Sequence, residues 1–243
     1  MICAILIGRK GSLGFPSKNT FKYFGKPSFE YPLIAAFHSK YIKKIYVNTD
    51  IPEIKKFKKK YNLNFIKRDK KLSTSKALGE DVFKSSVDFI SKIEGNKYKI
   101  FVLLFANAPT INSKLIDEAI SKLLLNPMAD SAVTVNILNM YSPFRAKKIK
   151  NGFLVPYVPI KLWKKMSPNV TCDRDSQGNI YFFDGGCSVV RKRSFINLKK
   201  NMLPMRWMGN KILPVYNEFG LDVDFEWQSP LVNKWLSKYF GEK

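Results

Sequence analysis

Short apolar runs alternate with amphipathic stretches through the first two thirds of the chain. Residues 2–7 (ICAILI) are wholly apolar and end at a glycine, the mark of a buried strand. Similar runs occupy residues 44–47, 64–66, 100–105 and 131–137. Between them, residues 31–39, 52–61, 78–93 and 113–125 carry apolar positions at helical spacing, and Pro52 suits a first helical turn. This βα alternation predicts an α/β fold: a doubly wound, Rossmann-like mixed sheet with helices on both faces. Ligands of such sheets sit beyond the carboxyl ends of the strands.

The pattern changes over residues 141–168. Helical periodicity stops, prolines appear, and Asn151-Gly152 signals a tight turn between β-like runs. An inserted β-arm is expected there. Strand character returns over residues 179–191, around Gly185 and Gly186, and again at 212–215. Residues 225–239 read as a closing helix. With no internal repeat or long linker, residues 1–243 read as a single domain carrying one insertion.

Composition changes this picture in two ways. The 243 residues carry 42 Lys+Arg against 19 Asp+Glu, a net charge of +23, which favours anionic partners. The lysines are spread along the whole chain, which is how a solvated basic surface looks. A nucleic-acid-binding module is the alternative from another class, but no RNA- or DNA-binding motif appears, and nucleic acid is disfavoured. The three cysteines, Cys3, Cys172 and Cys187, have no metal-site spacing and fit reduced thiols in a cytoplasmic protein. No apolar stretch reaches membrane length.

The second change is an elimination. The only histidine, His38, lies in an apolar helical run and reads as a partly buried structural residue. Histidine-based triads and zinc sites are thereby disfavoured. Carboxylates, Lys, Arg and a hard metal remain.

Two motifs carry candidate chemistry. After the first run comes GRKGSLGFPSKN, residues 8–19, with Gly8, Gly11, Gly14 and the cations Arg9, Lys10 and Lys18. Glycines let backbone N–H groups approach oxyanions, and the cations neutralise them. The same composition suits an ordinary turn-rich loop, and neither a Walker A nor a dinucleotide pattern is present. Near the other end, GLDVDFEW places Asp222 and Asp224 two residues apart. In an extended segment both carboxylates share a face and can meet one cation. At a helix N-terminus they would instead complement the dipole.

The loop resembles the signature R-x-G-S-K-G-x-P-x-K-N of CMP-sialic acid synthetases and related sugar-acid cytidylyltransferases. Arg9, Gly11, Ser12, Gly14, Pro16, Lys18 and Asn19 match it, and Leu13 replaces its lysine. The strand end YVNTD, residues 46–50, is similar to the family's V-S-T-D. Asp222 and Asp224 match its D-x-D pair. Residues 177–181 (QGNIY) are similar to its N-G-A-I-Y segment. Its Q-P-T-S-P motif is not kept: Phe105, Ala106, Asn107, Ala108 and Pro109 stand there.

The resemblance implies a nucleotide-diphospho-sugar transferase type of fold and a CTP-dependent enzyme that activates a sugar acid, nonulosonic or related, to its CMP-sugar. It implies nucleotide binding by Gly8, Arg9, Lys10, Gly11, Ser12, Gly14, Lys18, Asn19 and Arg68. Mg²⁺ would be held by Asp222 and Asp224, and Arg9, Lys18 and Asp224 would be catalytic. Acceptor-site candidates are Asn107, Thr110, Asp173, Arg174, Gln177 and Asn179. The inserted arm, with Phe144, Phe153, Tyr157 and Trp163, would form a homodimer. The lost glutamine and Leu13 keep open a sugar nucleotidyltransferase of another nucleotide or acceptor.

Overall fold

A computed structural model describes residues 1–12, 14–74 and 76–240. The departure at Leu13 therefore lies outside the described residues. The chain forms two compact units, Met1–Thr134 with Asp184–Lys243, and Val135–Phe183.

The first unit is built on the apolar runs. β1 (Ile2–Gly8) is buried along almost its whole length. It pairs in parallel with β4 (Ile42–Thr49) on one side and β6 (Ile100–Phe105) on the other. β5 (Leu63–Ile66) extends the β4 side in parallel. β10 (Tyr181–Arg191) runs antiparallel to β6, and β7 (Ser131–Ile137) and β11 (Ile212–Tyr216) complete a seven-stranded sheet of order β11-β7-β10-β6-β1-β4-β5. The sheet is mixed and α/β, as its periodicity predicts. The chain order reverses at β1, between β4 and β6. That crevice at the carboxyl ends is where such sheets bind ligands.

The helices follow the apolar stripes. α1 (Glu30–Phe37), α2 (Gly79–Glu94) and α3 (Ser113–Leu125) pack on the sheet. α2 buries Val82, Phe83, Val87 and Ile90, positions on one face of a 3.6-residue period. Asn112 caps α3 by accepting from the Leu115 N–H. Residues 52–61 are less regular than their spacing suggests. Pro52–Phe57 is a 3₁₀ turn that buries only Ile54, too little apolar surface to hold a full helix. The closing helix, α5 (Ser229–Phe240), starts four residues later than expected, because Phe225 is extended and Glu226–Gln228 forms a 3₁₀ turn. His38 stands exposed just beyond α1, past the last buried turn, and is not part-buried.

A second, smaller core joins the chain ends. Phe15 from the glycine loop, Val223 from the acidic segment, and Val232, Trp235 and Leu236 from α5 pack with Tyr23 and Tyr31. Tyr23 belongs to a short hairpin of β2 (Lys22–Tyr23) and β3 (Lys26–Pro27). Each such buried side chain contributes about 1.5–3 kcal/mol. This cluster fixes residues 15 and 223 beside each other.

In the second unit, β8 (Lys147–Lys150) and β9 (Phe153–Pro156) form an antiparallel hairpin turned at Asn151 and Gly152, both with positive φ. α4 (Ile160–Met166) follows. Ile149, Phe153, Leu154 and Tyr157 are all more than 60% exposed. Phe144 and Trp163 pack edge to face, with centroids 5.8 Å apart.

Candidate nucleotide and metal site

An open cleft of about 570 Å³ lies at the carboxyl end of β1. Gly8, Arg9, Ser12, Lys18 and Asn19 line it from the loop, and Arg68 and Asn107 line it from the flanking strands. Ala77, Gly79, Val82 and Phe105 supply an apolar wall. Phe105 is propped edge-on by Phe83, at 5.3 Å between centroids.

The loop is held by its own polar groups. The Asn19 amide donates to the Arg9 carbonyl at 2.9 Å, and the Arg9 guanidinium donates to the Gly11 carbonyl at 2.6 Å. The Lys10 N–H donates to Asp50 at 2.7 Å, which ties the loop to the end of β4. Lys10 and Gly11 line an adjoining hollow with Ser17, Thr20 and Glu53, on which Lys10 does not share the apolar wall. Asn19 is buried, yet among the described residues its side-chain oxygen has no hydrogen-bond partner. A buried unpaired acceptor is costly, about 1–3 kcal/mol, and marks a place where a ligand donor is welcome.

Arg68 is committed to the backbone. Its guanidinium donates to the carbonyls of Gly8 (3.1 Å), Asn48 (3.0 Å) and Leu72 (2.7 Å and 3.1 Å). Burial lowers its pKa, with nearby Arg9 acting the same way and Asp50 opposing. It clamps three loop ends around the cleft.

The acidic segment lies directly against the loop. A Cβ on Gly14 would sit 2.8 Å from the Asp224 carbonyl oxygen and 3.4 Å from the Phe225 ring, so only glycine permits this approach. The Lys18 ammonium bonds to the Asp224 carboxylate across 206 residues of sequence. From below, Asn107 and Val223 exchange two hydrogen bonds: the Val223 N–H to the Asn107 carbonyl at 2.8 Å, and the Asn107 amide to the Val223 carbonyl at 3.0 Å. The Thr110 hydroxyl accepts from the Leu221 N–H at 3.1 Å. Asn107 and Thr110, candidates for the acceptor, thus anchor the acidic segment, with Asn107 also facing the cleft.

The carboxylates are crowded. Asp222 is pushed up to about 6, first by burial and then by the charge of Asp224, with Lys18 opposing and Asp184 adding to the rise. Two oxygen-donor carboxylates short of positive charge, opening beside a would-be triphosphate site, suit Mg²⁺, which takes one or two carboxylates and leaves its remaining positions to water and phosphate. Among the described residues no group of three or more His, Cys, Asp and Glu is placed to hold a metal ion.

The remaining acceptor candidates lie in the second unit. Arg174 pairs with Asp175 at 3.2 Å, and not with Asp173. Asp173 accepts the Asp175 N–H at 3.2 Å, because the turn brings i+2 amides onto aspartate side chains. Gln177 donates to the Arg174 carbonyl, and Asn179 accepts from Asn139 at 3.5 Å. One buried carboxylate, Asp184, and the glycine after it, Gly185, belong to no motif; the only sequence trace was an acid before a Gly-Gly pair inside an apolar strand.

A doubly wound sheet with a glycine loop and an acidic pair meeting at its switch point defines a nucleotidyltransferase type of fold. The family comparison makes this specific. The cytidylyltransferase family model matches residues 3–153, and the chain belongs to that family. N-acylneuraminate cytidylyltransferase of Streptococcus agalactiae serotype V is 26% identical over 225 residues, 92% of this chain and 50% of that protein. Pseudaminic acid cytidylyltransferase of Campylobacter jejuni is 28% identical over 124 residues, 50% of this chain and 53% of that protein. The chain spans from 27% to 53% of the length of the curated relatives it matches. The solved structure of CMP:2-keto-3-deoxy-manno-octonic acid synthetase complexed with CTP shares the fold, with a TM-score of 0.66 at 15% identity over 98% of each chain. Among the described residues no helix is long and apolar enough to cross a membrane.

Proposed function

We propose that this chain transfers a cytidylyl group from CTP to a sugar acid, nonulosonic or a related keto acid, giving a CMP-sugar and pyrophosphate. The observation that carries this reading is the close approach of Gly14 to the Asp224 backbone, which brings the glycine-rich loop against the acidic segment. The family membership and the names of the relatives support cytidine and a sugar acid.

The residues divide the work. The backbone of residues 8–12 and of Gly14, with Arg9 and Lys18, binds and neutralises the triphosphate. Lys10, in the adjoining hollow, adds positive charge at the loop's outer side. The wall of Ala77, Val82 and Phe105 gives the nucleotide an apolar surface. Asp222 and Asp224 hold Mg²⁺, which supplies charge neutralisation at the reacting phosphate when bound. A hydroxyl of the acceptor gives up its proton to solvent and forms a bond to the α-phosphorus as the α–β phosphoanhydride bond breaks, and pyrophosphate carries off the electron pair. Catalysis is positioning and charge stabilisation.

The arm of the second unit would pair two copies. Of the four expected aromatics, Phe144 and Trp163 are spent on each other, so Phe153 and Tyr157 remain, joined by Ile149 and Leu154. Sedimentation of Phe153→Asp is expected to give monomer where the wild type gives dimer. Three free cysteines support a reducing compartment such as the cytoplasm.

The deciding assay is pyrophosphate release from a panel of nucleoside triphosphates, each offered several eight- and nine-carbon keto acids. Release with CTP and one such acid is expected. Equal release with another nucleotide, or none with any acid, overturns the assignment.

A further inference from the structure

Asp184 is buried, and no cation pairs with it among the described residues. A buried carboxylate is costly unless hydrogen bonds replace its water. Here neutral donors do so. Oδ1 accepts from the Thr134 hydroxyl and from the Gly186 N–H at 2.8 Å, and Oδ2 accepts from the Asn217 amide at 2.6 Å. Both oxygens are thus engaged by neutral donors.

Its contacts converge on the acidic segment. Asn217 precedes that segment. Gly220 lies so close that a Cβ there would sit 1.8 Å from Asp184 Oδ2. The next residue after Asp184 completes the seat: Gly185 has φ +73°, and a Cβ on it would lie 2.6 Å from the Asp222 Cβ. Asp184 therefore grips the turn before Asp222 at two points, while Gly185 leaves the space that Asp222 fills. On the far side the Asn107–Val223 and Thr110–Leu221 bonds hold the same segment.

We infer that Asp184 is a positioning residue for the metal-binding carboxylates: it fixes residues 217–220 and so sets where Asp222 stands. This rests on the reading that Asp222 and Asp224 hold a divalent cation. A merely structural acid would change the melting temperature and leave cation affinity alone.

The test is Mn²⁺ binding without nucleotide, read from the electron paramagnetic resonance signal of free Mn²⁺. It compares wild type, Asp184→Ala, Asp184→Asn, Gly220→Ala and Asp222→Asn, each checked by circular dichroism and thermal melting. Loss of an outer partner of metal ligands typically costs about 10- to 100-fold in affinity, and that loss is expected for Asp184→Ala. In Asp184→Asn the amide oxygen keeps the Thr134 and Gly186 bonds, and Asn217 can turn to accept from the new amide. Most of the affinity is expected to survive. Gly220→Ala keeps every carboxylate but forces the turn off its seat, and is expected to match Asp184→Ala; it decides the matter if Asp184→Ala does not fold. A folded Asp184→Ala or Gly220→Ala with wild-type affinity overturns the role, as does an Asp184→Asn as weak as the alanine variant. Equal binding by wild type and Asp222→Asn removes the metal site itself, and the positioning role with it.

Discussion

At the amino ends of β1, β4 and β6, Glu94 accepts hydrogen bonds from Lys44 and from the Tyr46 hydroxyl, and Lys97 lies 3.5 Å away. The Lys44 bond, then the Tyr46 bond, hold its carboxyl down to about 2. At the carboxyl ends of the same sheet, Lys18 bonds to Asp224, and Asp222 is displaced the other way, to about 6, by burial and by Asp224. One end pairs its charges with each other, which helps the fold. The other crowds Asp222 against Asp224 beside a loop rich in cations, an arrangement that a metal and a phosphate would suit. Opposed shifts of this kind separate a structural ion network from a functional one.

The largest effect that would break this comparison is at Asp224. Asp224→Ala removes an exposed side chain, so folding is expected to be normal. Turnover, measured as CTP-dependent pyrophosphate release, is expected to fall at least about 10²- to 10³-fold, the scale of a lost transition-state charge contact. Normal turnover would make the crowded end structural after all. Gly14→Val is next. Its Cβ meets the Asp224 carbonyl at 2.8 Å, and a shift near 1 Å in such a site costs roughly 10²-fold in kcat/KM. The melting temperature is expected to move little, because Gly14 lies on the surface. Unchanged kcat/KM would show that the loop and the acidic segment act independently.

How much of this was legible in the sequence follows from the range of the interactions. β1, β4, β6, α2 and α3 were written in local periodicity, and the structure keeps them. The loop of residues 8–19 and the Asp222–Asp224 pair were visible as motifs. Their meeting followed only from the family resemblance and from no local pattern, since the Lys18–Asp224 bond spans 206 residues and depends on a small aromatic core that no period reports. Asp184 was missed for a similar reason: its role lies in what packs against it, Gly220 and Asn217, more than 30 residues on. Residues 52–61 have apolar positions at helical spacing, but between Pro52 and Phe57 only Ile54 is buried, too little to hold a full helix. Asn107 was chosen as a ligand from its polarity, whereas its amide is used on Val223.

Lys18 sharpens the comparison with a smaller effect of two signs. Its ammonium occupies Asp224 and belongs to the loop that would bind phosphate. Lys18→Met frees the carboxylate, so Mn²⁺ alone is expected to bind more tightly, by up to about fivefold, the scale of a part-exposed ion pair. CTP binding by calorimetry is expected to weaken in the same variant. If both affinities move the same way, the lysine does not stand between metal and nucleotide.

The smallest effect is at the paired end. Glu94→Gln keeps the shape and the acceptor for Tyr46 but removes the charge that Lys44 and Lys97 face. The folded carboxyl titrates near 2, below the ordinary glutamate value of about 4.3. A depressed carboxyl contributes stability that is fully present above its unfolded value and is lost as the pH falls through its folded value. The variant is therefore expected to melt below the wild type at pH 6 to 7. The gap closes between about pH 4 and pH 2, as the unfolded and then the folded carboxyl takes up its proton. At the crowded end, Asp222→Asn removes a charge that Asp184 and Asp224 repel, and its melting temperature at pH 7 is expected to equal or exceed that of the wild type. Two isosteric losses of a carboxylate, made at opposite ends of one sheet, should thus differ in sign. If both lower the melting temperature equally, the two ends carry the same kind of charge network, and the crowding around Asp222 is no mark of a binding site.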